Sequence, residues 1–380
     1  MLIPRERDSG EQRVAATPET VRRLISKGLN LQVEQGAGEA AGYADADFAA
    51  AGAVLPASTD GLWATSDAVL CVNPPAPESL AQLKPGALLA GLLSPYGATP
   101  LVEALNSRRV SALALELLPR ISRAQSMDVL SSQANIAGYK AVLLAAAALD
   151  RYVPMLMTAA GTIQPARALI LGAGVAGLQA LATARRLGAV VYVSDVRAAA
   201  KEQVESLGGR FVAPPEKEER PTESGGYAQA ATEAFLAAQR QQLAEQLAQA
   251  DMVICTALVP GRRAPLLIDE AMLDRMRPGS VVVDLAVAQG GNCAGTQPGI
   301  TVLRKGVQLI GADGLPSSVA NHASALYARN IAALIEHLVV KVNPEQQPFA
   351  LDLDDPIVAG CLLTHGGECR RPDVVSGVKS

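Results

Sequence analysis

The run Gly172-Ala173-Gly174-Val175-Ala176-Gly177 constrains this chain more than any other feature. It follows the apolar stretch Ala168-Leu169-Ile170-Leu171 and opens an amphipathic segment, Val175–Leu187. A strand that turns tightly into a helix accommodates that pattern. The first glycine makes the turn, the second lets the main chain approach a pyrophosphate, and the third allows helix to pack closely on strand. The helix N-terminus then faces the phosphate charge. An acidic residue, Asp195, ends the next apolar run, Val190–Ser194, 18 residues beyond Gly177. A carboxylate there accepts hydrogen bonds from ribose hydroxyls and repels a 2′-phosphate, which points to NAD(H) rather than NADP(H). Arg197 is a counter-signal, since an arginine accommodates that phosphate, and a helix N-cap is the structural alternative for Asp195. The complete strand–turn–helix–strand context favours ribose.

Apolar runs and amphipathic segments alternate along the rest of the chain. Asn30–Glu34, Ala68–Val72, Ala87–Leu93 and Val110–Leu117 read as strands, with helices at Thr17–Lys27, Asp45–Ala51 and Val102–Asn106. Thr17-Pro18-Glu19 is a helix start with threonine as N-cap and proline at N1. An Ala/Leu-rich helix over Ser131–Asp150 leads to a second series. Its strands are Ala168–Leu171, Val190–Ser194, Arg210–Val212, Met252–Thr256, Ser280–Asp284 and Val307–Ile310. Its helices are Val175–Leu187, Lys201–Leu207, Ala230–Ala250 and Asp269–Arg275. Pro214–Gly226 reads as a long polar excursion, and a helix over Leu326–Val340 returns the chain to the first series. For 380 residues this predicts an α/β protein of two Rossmann-like, doubly wound parallel-sheet domains separated by a cleft. Residues 1–130 and 320–380 form a discontinuous first domain, and 131–319 form the dinucleotide-binding second.

Composition removes other classes. The formal net charge is −4 and no dense Lys/Arg run occurs, so nucleic acid is not an expected partner. A mean hydropathy of +0.19 invites a membrane reading. The longest uncharged stretches, Pro85–Val102, Ala168–Ala184 and Leu285–Leu303, are each broken by Gly, Pro or polar residues and fall short of a spanning helix. Arg5, Glu6, Arg7 and Asp8 occupy the place of a signal peptide's apolar core, so a soluble, cytoplasmic chain is expected. Five scattered cysteines argue against a disulfide framework. Cys361, His365 and Cys369 have metal-like spacing, but Gly366-Gly367 between them reads as a hairpin turn and no fourth ligand is evident, so no metal is expected.

A second dense polar patch runs from Pro119 to Ser131, just before the long helix and at the predicted domain junction. It includes Arg120, Gln125, Ser126, Met127, Asp128 and Ser131. Its chemistry alone leaves ligand binding and ordinary helix capping by Asp128 equally open.

Taken together, these motifs are recognisable. The chain resembles the NAD(H)-binding domain I of the proton-translocating nicotinamide nucleotide transhydrogenases and, more distantly, alanine dehydrogenase. The matches are ordered along nearly the whole length. They include Ile3-Pro4-Arg5-Glu6, Glu11-Gln12-Arg13-Val14-Ala15, Pro119–Ser131, Ala134–Tyr139, Gly172–Gly177, Lys201–Gly208, Gly225–Ala228, Thr256–Gly261, Val283–Ala286 and Gly290–Cys293. The resemblance implies roles for particular residues. Arg120, Gln125 and Asp128, with Ser126 and Met127 between them, match a loop at the nicotinamide end. Ser131 matches a serine near the carboxamide, and Tyr227 the tyrosine of a mobile loop that closes over bound nucleotide. Gly226, Gln239, Ala257 and Leu258 match the adenosine and ribose side. Gly172, Gly174, Val175 and Gly177 belong to the phosphate turn, and Ser194, Asp195, Val196 and Arg197 to the ribose-binding strand end.

Departures separate the two relatives. Alanine dehydrogenases use a lysine and a histidine at early strand ends, where this chain has Leu70-Cys71-Val72-Asn73-Pro74 and Gly91-Leu92-Leu93-Ser94-Pro95. Of that substrate set only Arg13 remains, and His322, His337 and His365 all lie near the C-terminus. Gly314 and Ser318 depart from the transhydrogenase pattern, where acidic or amide and arginine residues are common, and Ala288 departs as well. The expected function is therefore direct hydride transfer between NAD(H) here and NADP(H) on a partner, domain III. A membrane-spanning component couples the exchange to proton movement. The resemblance further implies a homodimer held peripherally at the cytoplasmic face of the plasma membrane. An alanine-type dehydrogenase and an NAD-sensing module without chemistry are the competing readings.

Overall fold

The computed structural model describes residues 1–215, 233–259, 261–339, 349 and 351–376, the side chains of 233–236 excepted. It comprises two compact units, Met1–Ala134 with Pro316–Ser380, and Asn135–Leu315. Each is built on a seven-stranded sheet, and both are predominantly parallel, so the expected α/β class holds.

In the first unit the strands lie in the order Glu368–Cys369, Leu362–His365, Ser111–Ala114, Leu88–Gly91, Ala68–Leu70, Leu2–Ile3 and Gln32–Val33. The five on the Gln32–Val33 side are parallel to one another, while Leu362–His365 runs antiparallel to Ser111–Ala114. The strands Ala68–Leu70, Leu88–Gly91 and Ser111–Ala114 are buried at every position. Short unbroken apolar runs of this kind suit a sheet covered on both faces. Thr17 caps the helix Pro18–Ile25 in a reciprocal box, Thr20 N donating to Thr17 Oγ1 and Thr17 N to Thr20 Oγ1. The last long helix begins at Ala320, six residues before its expected start, and runs to Val339. Its buried face recurs at helical spacing through Ala320, Ala323, Tyr327, Ile331, Leu334 and Leu338. Tyr327 is fully buried, and its hydroxyl donates to the Cys71 carbonyl at 2.6 Å. The hairpin expected at Gly366-Gly367 is present, with Thr364 opposite Cys369.

In the second unit the order is Arg210–Val212, Val190–Ser194, Arg167–Leu171, Met252–Cys255, Val281–Asp284, Val307–Gly311 and Thr301–Arg304. All but the last are parallel. The order reverses at Arg167–Leu171, the switch point beside which ligands bind in doubly wound sheets. Two features went unread in the sequence. Thr301–Arg304 is an edge strand that alternates exposed with half-buried residues, and Leu156–Thr158 pairs with Gly161–Ile163 in a separate, largely exposed ribbon.

Two contacts without side chains fix the helices around this switch point. A Cβ on Gly177 would lie 1.9 Å from the Gly172 carbonyl oxygen, so the helix Val175–Arg186 sits directly on the turn that precedes it. A Cβ on Gly138, in the helix Val129–Ala148, would lie 2.1 Å from the Ala176 carbonyl oxygen. Gly138→Ala should therefore cost roughly 1–3 kcal/mol of stability through overpacking. At Gly174 a Cβ meets nothing within 4 Å, so Gly174→Ala should change stability by no more than about 0.5 kcal/mol. Denaturant unfolding of the two variants checks this, and equal midpoints would contradict the close helix approach.

Candidate functional site

The carboxyl ends of four adjacent strands in the second unit converge on the glycine turn. Gly172 takes φ +102, and its N–H donates to the Ser194 carbonyl at 2.8 Å, which joins the turn to the neighbouring strand. Asp195 follows immediately. Its Oδ2 accepts the Ala173 N–H at 2.7 Å and its Oδ1 accepts the Arg197 N–H at 2.8 Å. The Arg197 guanidinium forks onto the same carboxylate, Nε to Oδ1 at 2.9 Å and Nη2 to Oδ2 at 3.0 Å. Burial pushes the Asp195 carboxyl up, but Arg197 and the two N–H donors outweigh it and hold the group below its ordinary value. The side chain of Asp195 is 7% exposed and that of Arg197 is 61% exposed, so the cation is the partner free to move.

Around this carboxylate the main chain is open where a phosphate would need it. Space above Gly174 is free, and a Cβ at Gly172 would meet Thr256 Oγ1 at 2.7 Å. Thr256 in turn donates to the Leu171 and Gly172 carbonyls at 3.0 and 3.2 Å, which seats the turn against the strand Met252–Cys255. Val175, Val196 and Leu258 each follow one of three adjacent strands, and all three are exposed. Gln239 is half-buried in the helix Glu233–Leu247. One turn later Gln242 donates to the Ala213 carbonyl, just beyond the strand Arg210–Val212, which places this part of the helix on the carboxyl side of the sheet. Gly226 and Tyr227 lie outside the described residues.

Arg120, Gln125, Ser126, Met127, Asp128 and Ser131 all belong to the first unit. Gln125, Ser126 and Met127 lie on a 3-10 turn, Ser122–Met127, that ends at Asp128. Asp128 does cap the following helix: Ser131 N donates to Oδ1 at 2.9 Å and Ser131 Oγ to Oδ2 at 2.5 Å. Asn330 braces the turn by donating to the Ser126 carbonyl at 2.8 Å while accepting from Ser132 Oγ at 2.7 Å. Arg120, Gln125 and Ser126 are exposed. Met127 is packed in the first unit's core, so only its main chain is presented to a ligand.

Buried carboxylates at the strand ends of the first unit carried no sequence signal. Glu6 accepts the N–H groups of Val72 and Asn73 at 2.6 and 3.2 Å, and Glu116 accepts those of Leu93 and Ser94 at 3.1 and 2.6 Å. Arg13 forks onto Glu11, Nε to Oε1 at 2.8 Å and Nη2 to Oε2 at 2.6 Å, and reaches Gln133 through Nη1 at 3.0 Å. Ser317 Oγ and Asn73 Nδ2 complete the shell of Glu11. Burial raises the Glu11 carboxyl, yet Arg13 and Ser317 overcome it and hold it at about 2. Burial of Glu6 prevails over its two N–H donors and pushes it to about 7.

A glycine-rich turn at the switch point, an acidic residue at the next strand end and two predominantly parallel sheets define a nucleotide-binding protein of Rossmann type. Residues 2–137 match the family model for the N-terminal domain of alanine dehydrogenase/PNT, and residues 141–372 match that for its C-terminal domain. The chain belongs to this family. It is 46% identical over 378 residues to a chain of Rhodospirillum rubrum that forms the first portion of NAD(P) transhydrogenase subunit alpha, covering 98% of each. A crystal structure of transhydrogenase from Sinorhizobium meliloti superposes with TM-score 0.87 at 43% identity, over 97% of this chain and 99% of that one. An L-alanine dehydrogenase structure superposes with TM-score 0.81 at 28% identity, over 99% and 98%. No helix among the described residues is long and apolar enough to cross a membrane.

Glu6 yields a pH prediction. Its folded-state value lies above the ordinary 4.5, so its contribution to stability is present below about 4.5 and is lost as pH rises through about 7. Glu6→Gln should remove roughly 2–3 kcal/mol of the decline between pH 5 and 8. Urea midpoints across that range check it, and parallel pH profiles for the two proteins would refute the assignment.

Proposed function

We propose that this chain is the NAD(H)-binding component of a proton-translocating transhydrogenase. The near full-length identity with a transhydrogenase alpha subunit carries the reading. The hydride acceptor or donor, NADP(H), is held by a separate partner, domain III, and a membrane-spanning component couples the exchange to proton movement. The chain works as a homodimer, peripheral at the cytoplasmic face of the membrane.

The residues on the glycine turn fit an NAD(H) molecule. Gly172, Gly174 and the helix start at Val175, with Gly177 beneath, receive the pyrophosphate. Asp195, with Ser194, Val196 and Arg197 beside it, receives the adenosine ribose. Gly226, Gln239, Ala257 and Leu258 line the rest of the adenosine side. Arg120, Gln125, Asp128 and Ser131, along the Ser126–Met127 main chain, orient the nicotinamide ring and its carboxamide, and Tyr227 closes over the nucleotide. Bound NAD(H) supplies the hydride. No proton donor is required of the protein, because hydride passes directly from ring to ring and positioning supplies most of the rate.

The strand ends favour this over an alanine dehydrogenase. Reduction of a keto acid needs a proton donor and a cationic clamp. Asn73 stands near the end of one early strand and donates to Glu11. Ser94 stands near the end of another, and its N–H is taken by Glu116.

Three measurements test the proposal. The purified chain should exchange hydride between NADH and an NADP⁺ analogue only after an NADP(H)-binding partner is added; NADH consumption with pyruvate and ammonia would establish the dehydrogenase instead. Asp195→Ala should weaken NADH binding on the order of tenfold, as loss of charge-assisted hydrogen bonds predicts; unchanged affinity would overturn the ribose role. Gln125→Asn should slow exchange far more than it weakens binding, since a ~1 Å misplacement costs on the order of 100-fold in rate. Equal losses would reduce Gln125 to a ligand-holding residue.

A further inference from the structure

Asn292 is fully buried and belongs to neither the glycine turn nor the nicotinamide loop. Its side chain accepts the Ala257 N–H at Oδ1, 3.0 Å, and donates through Nδ2 to the Ala257 carbonyl at 2.9 Å and the Pro265 carbonyl at 2.8 Å. Its own carbonyl accepts the Leu267 and Ile268 N–H groups at 2.8 and 2.9 Å. One residue therefore clasps both ends of the segment 257–268, which leaves the strand end at Cys255 carrying the exposed Leu258 and Val259. Asn292 is itself fixed from below. Asp284, fully buried at the end of Val281–Asp284, accepts the N–H groups of Ala286, Asn292 and Cys293 and the Thr296 hydroxyl, all at 2.9–3.0 Å.

We propose that Asn292 is the positioning residue of the nucleotide site, setting the height and orientation of the Ala257–Leu258 main chain without touching the nucleotide. An amide is the side chain that suits this place. It must accept one main-chain N–H and donate to two carbonyls at once, which neither a carboxylate nor a hydroxyl does. Asp284 serves Asn292 rather than the ligand, since its oxygens are taken by main-chain donors and a threonine. The inference rests on the nucleotide reading of this edge of the sheet.

The test compares NADH affinity, by calorimetric titration, with unfolding midpoint for the full chain and its variants. Asn292→Ala leaves three main-chain groups of the clasp without partners and should weaken NADH on the order of tenfold. Thr296→Val removes one donor from Asp284 but leaves every Asn292 contact to the loop in place. It should lower the unfolding midpoint while holding NADH affinity within about twofold. Should Asn292→Ala not fold, Asn292→Asp provides the second arm. Its carboxylate faces two carbonyl oxygens at pH 8, and protonation at lower pH restores a donor, so NADH affinity should recover as pH falls. Affinity that follows the unfolding midpoint alike in Asn292→Ala and Thr296→Val overturns the positioning role, as does pH-independent binding by Asn292→Asp. Absence of NADH binding by the unsubstituted chain would overturn the nucleotide reading itself, whereas unchanged binding by Asn292→Ala overturns only this inference.

Discussion

Main chain packed on main chain is the constraint on which the second unit depends. The Gly172 carbonyl occupies the space that a Cβ on Gly177 would need, and the Ala176 carbonyl occupies that of Gly138. A helix held this close to the preceding turn has its first N–H groups directed past Gly174, the one glycine of the three with open space above it. Asp195 completes the arrangement by tying its carboxylate to the Ala173 N–H. The turn, the acidic strand end and the helix start are thus mechanically one object. A substitution that lifts the helix must also disturb the carboxylate.

The first unit solves a different problem at its strand ends. Parallel strands leave unpaired N–H groups where the chain departs from the sheet, and burying them unsatisfied is costly. Glu6 and Glu116 satisfy four such donors, two each. Burial lifts both carboxyls above their ordinary range, so the cost of dehydrating the carboxylates partly offsets what the hydrogen bonds contribute. Glu11 lies on the other side of the same balance, where the Arg13 fork wins over burial. Neighbouring carboxylates on one edge therefore respond to pH in opposite directions, and the environment of each decides which.

Much of this was legible in the sequence, for identifiable reasons. Val190–Ser194 and Arg210–Val212 form as read because each is a compact apolar run bounded by Gly, Asp or Pro. Thr17 caps its helix because threonine before Pro-Glu has few other uses. The strand Leu2–Ile3 is too short to carry any period, and Thr301–Arg304 alternates as an edge strand inside a stretch that reads as loop. Among site residues, the glycine turn and Asp195 were readable because spacing encodes their geometry. Asn292 was not, because a polar residue after Gly290-Gly291 reads as turn chemistry, and only the fold brings it against Ala257 and Pro265. Nor could sequence show that Met127 faces the core while its neighbours Gln125 and Ser126 face solvent.

Arg197 sharpens what selectivity for NAD(H) would require at this site. Its guanidinium approaches the Asp195 carboxylate through Nε and Nη2, a two-point contact of the kind a ribose diol would make. The two cannot use that edge together, so the arginine must move aside for the ribose, at small cost because an ion pair with so exposed a partner contributes little. Asp195 stays in place when it does, since the Ala173 and Arg197 N–H groups hold its two oxygens from the main chain. Discrimination against a 2′-phosphate then depends on where the displaced cation settles. Close to the ribose it offsets the carboxylate's repulsion, and away from it the carboxylate acts alone. The side chain that argued against NAD(H) in the sequence is thereby a component of the same carboxylate site, and its position when nucleotide is bound, rather than its presence, decides the selectivity.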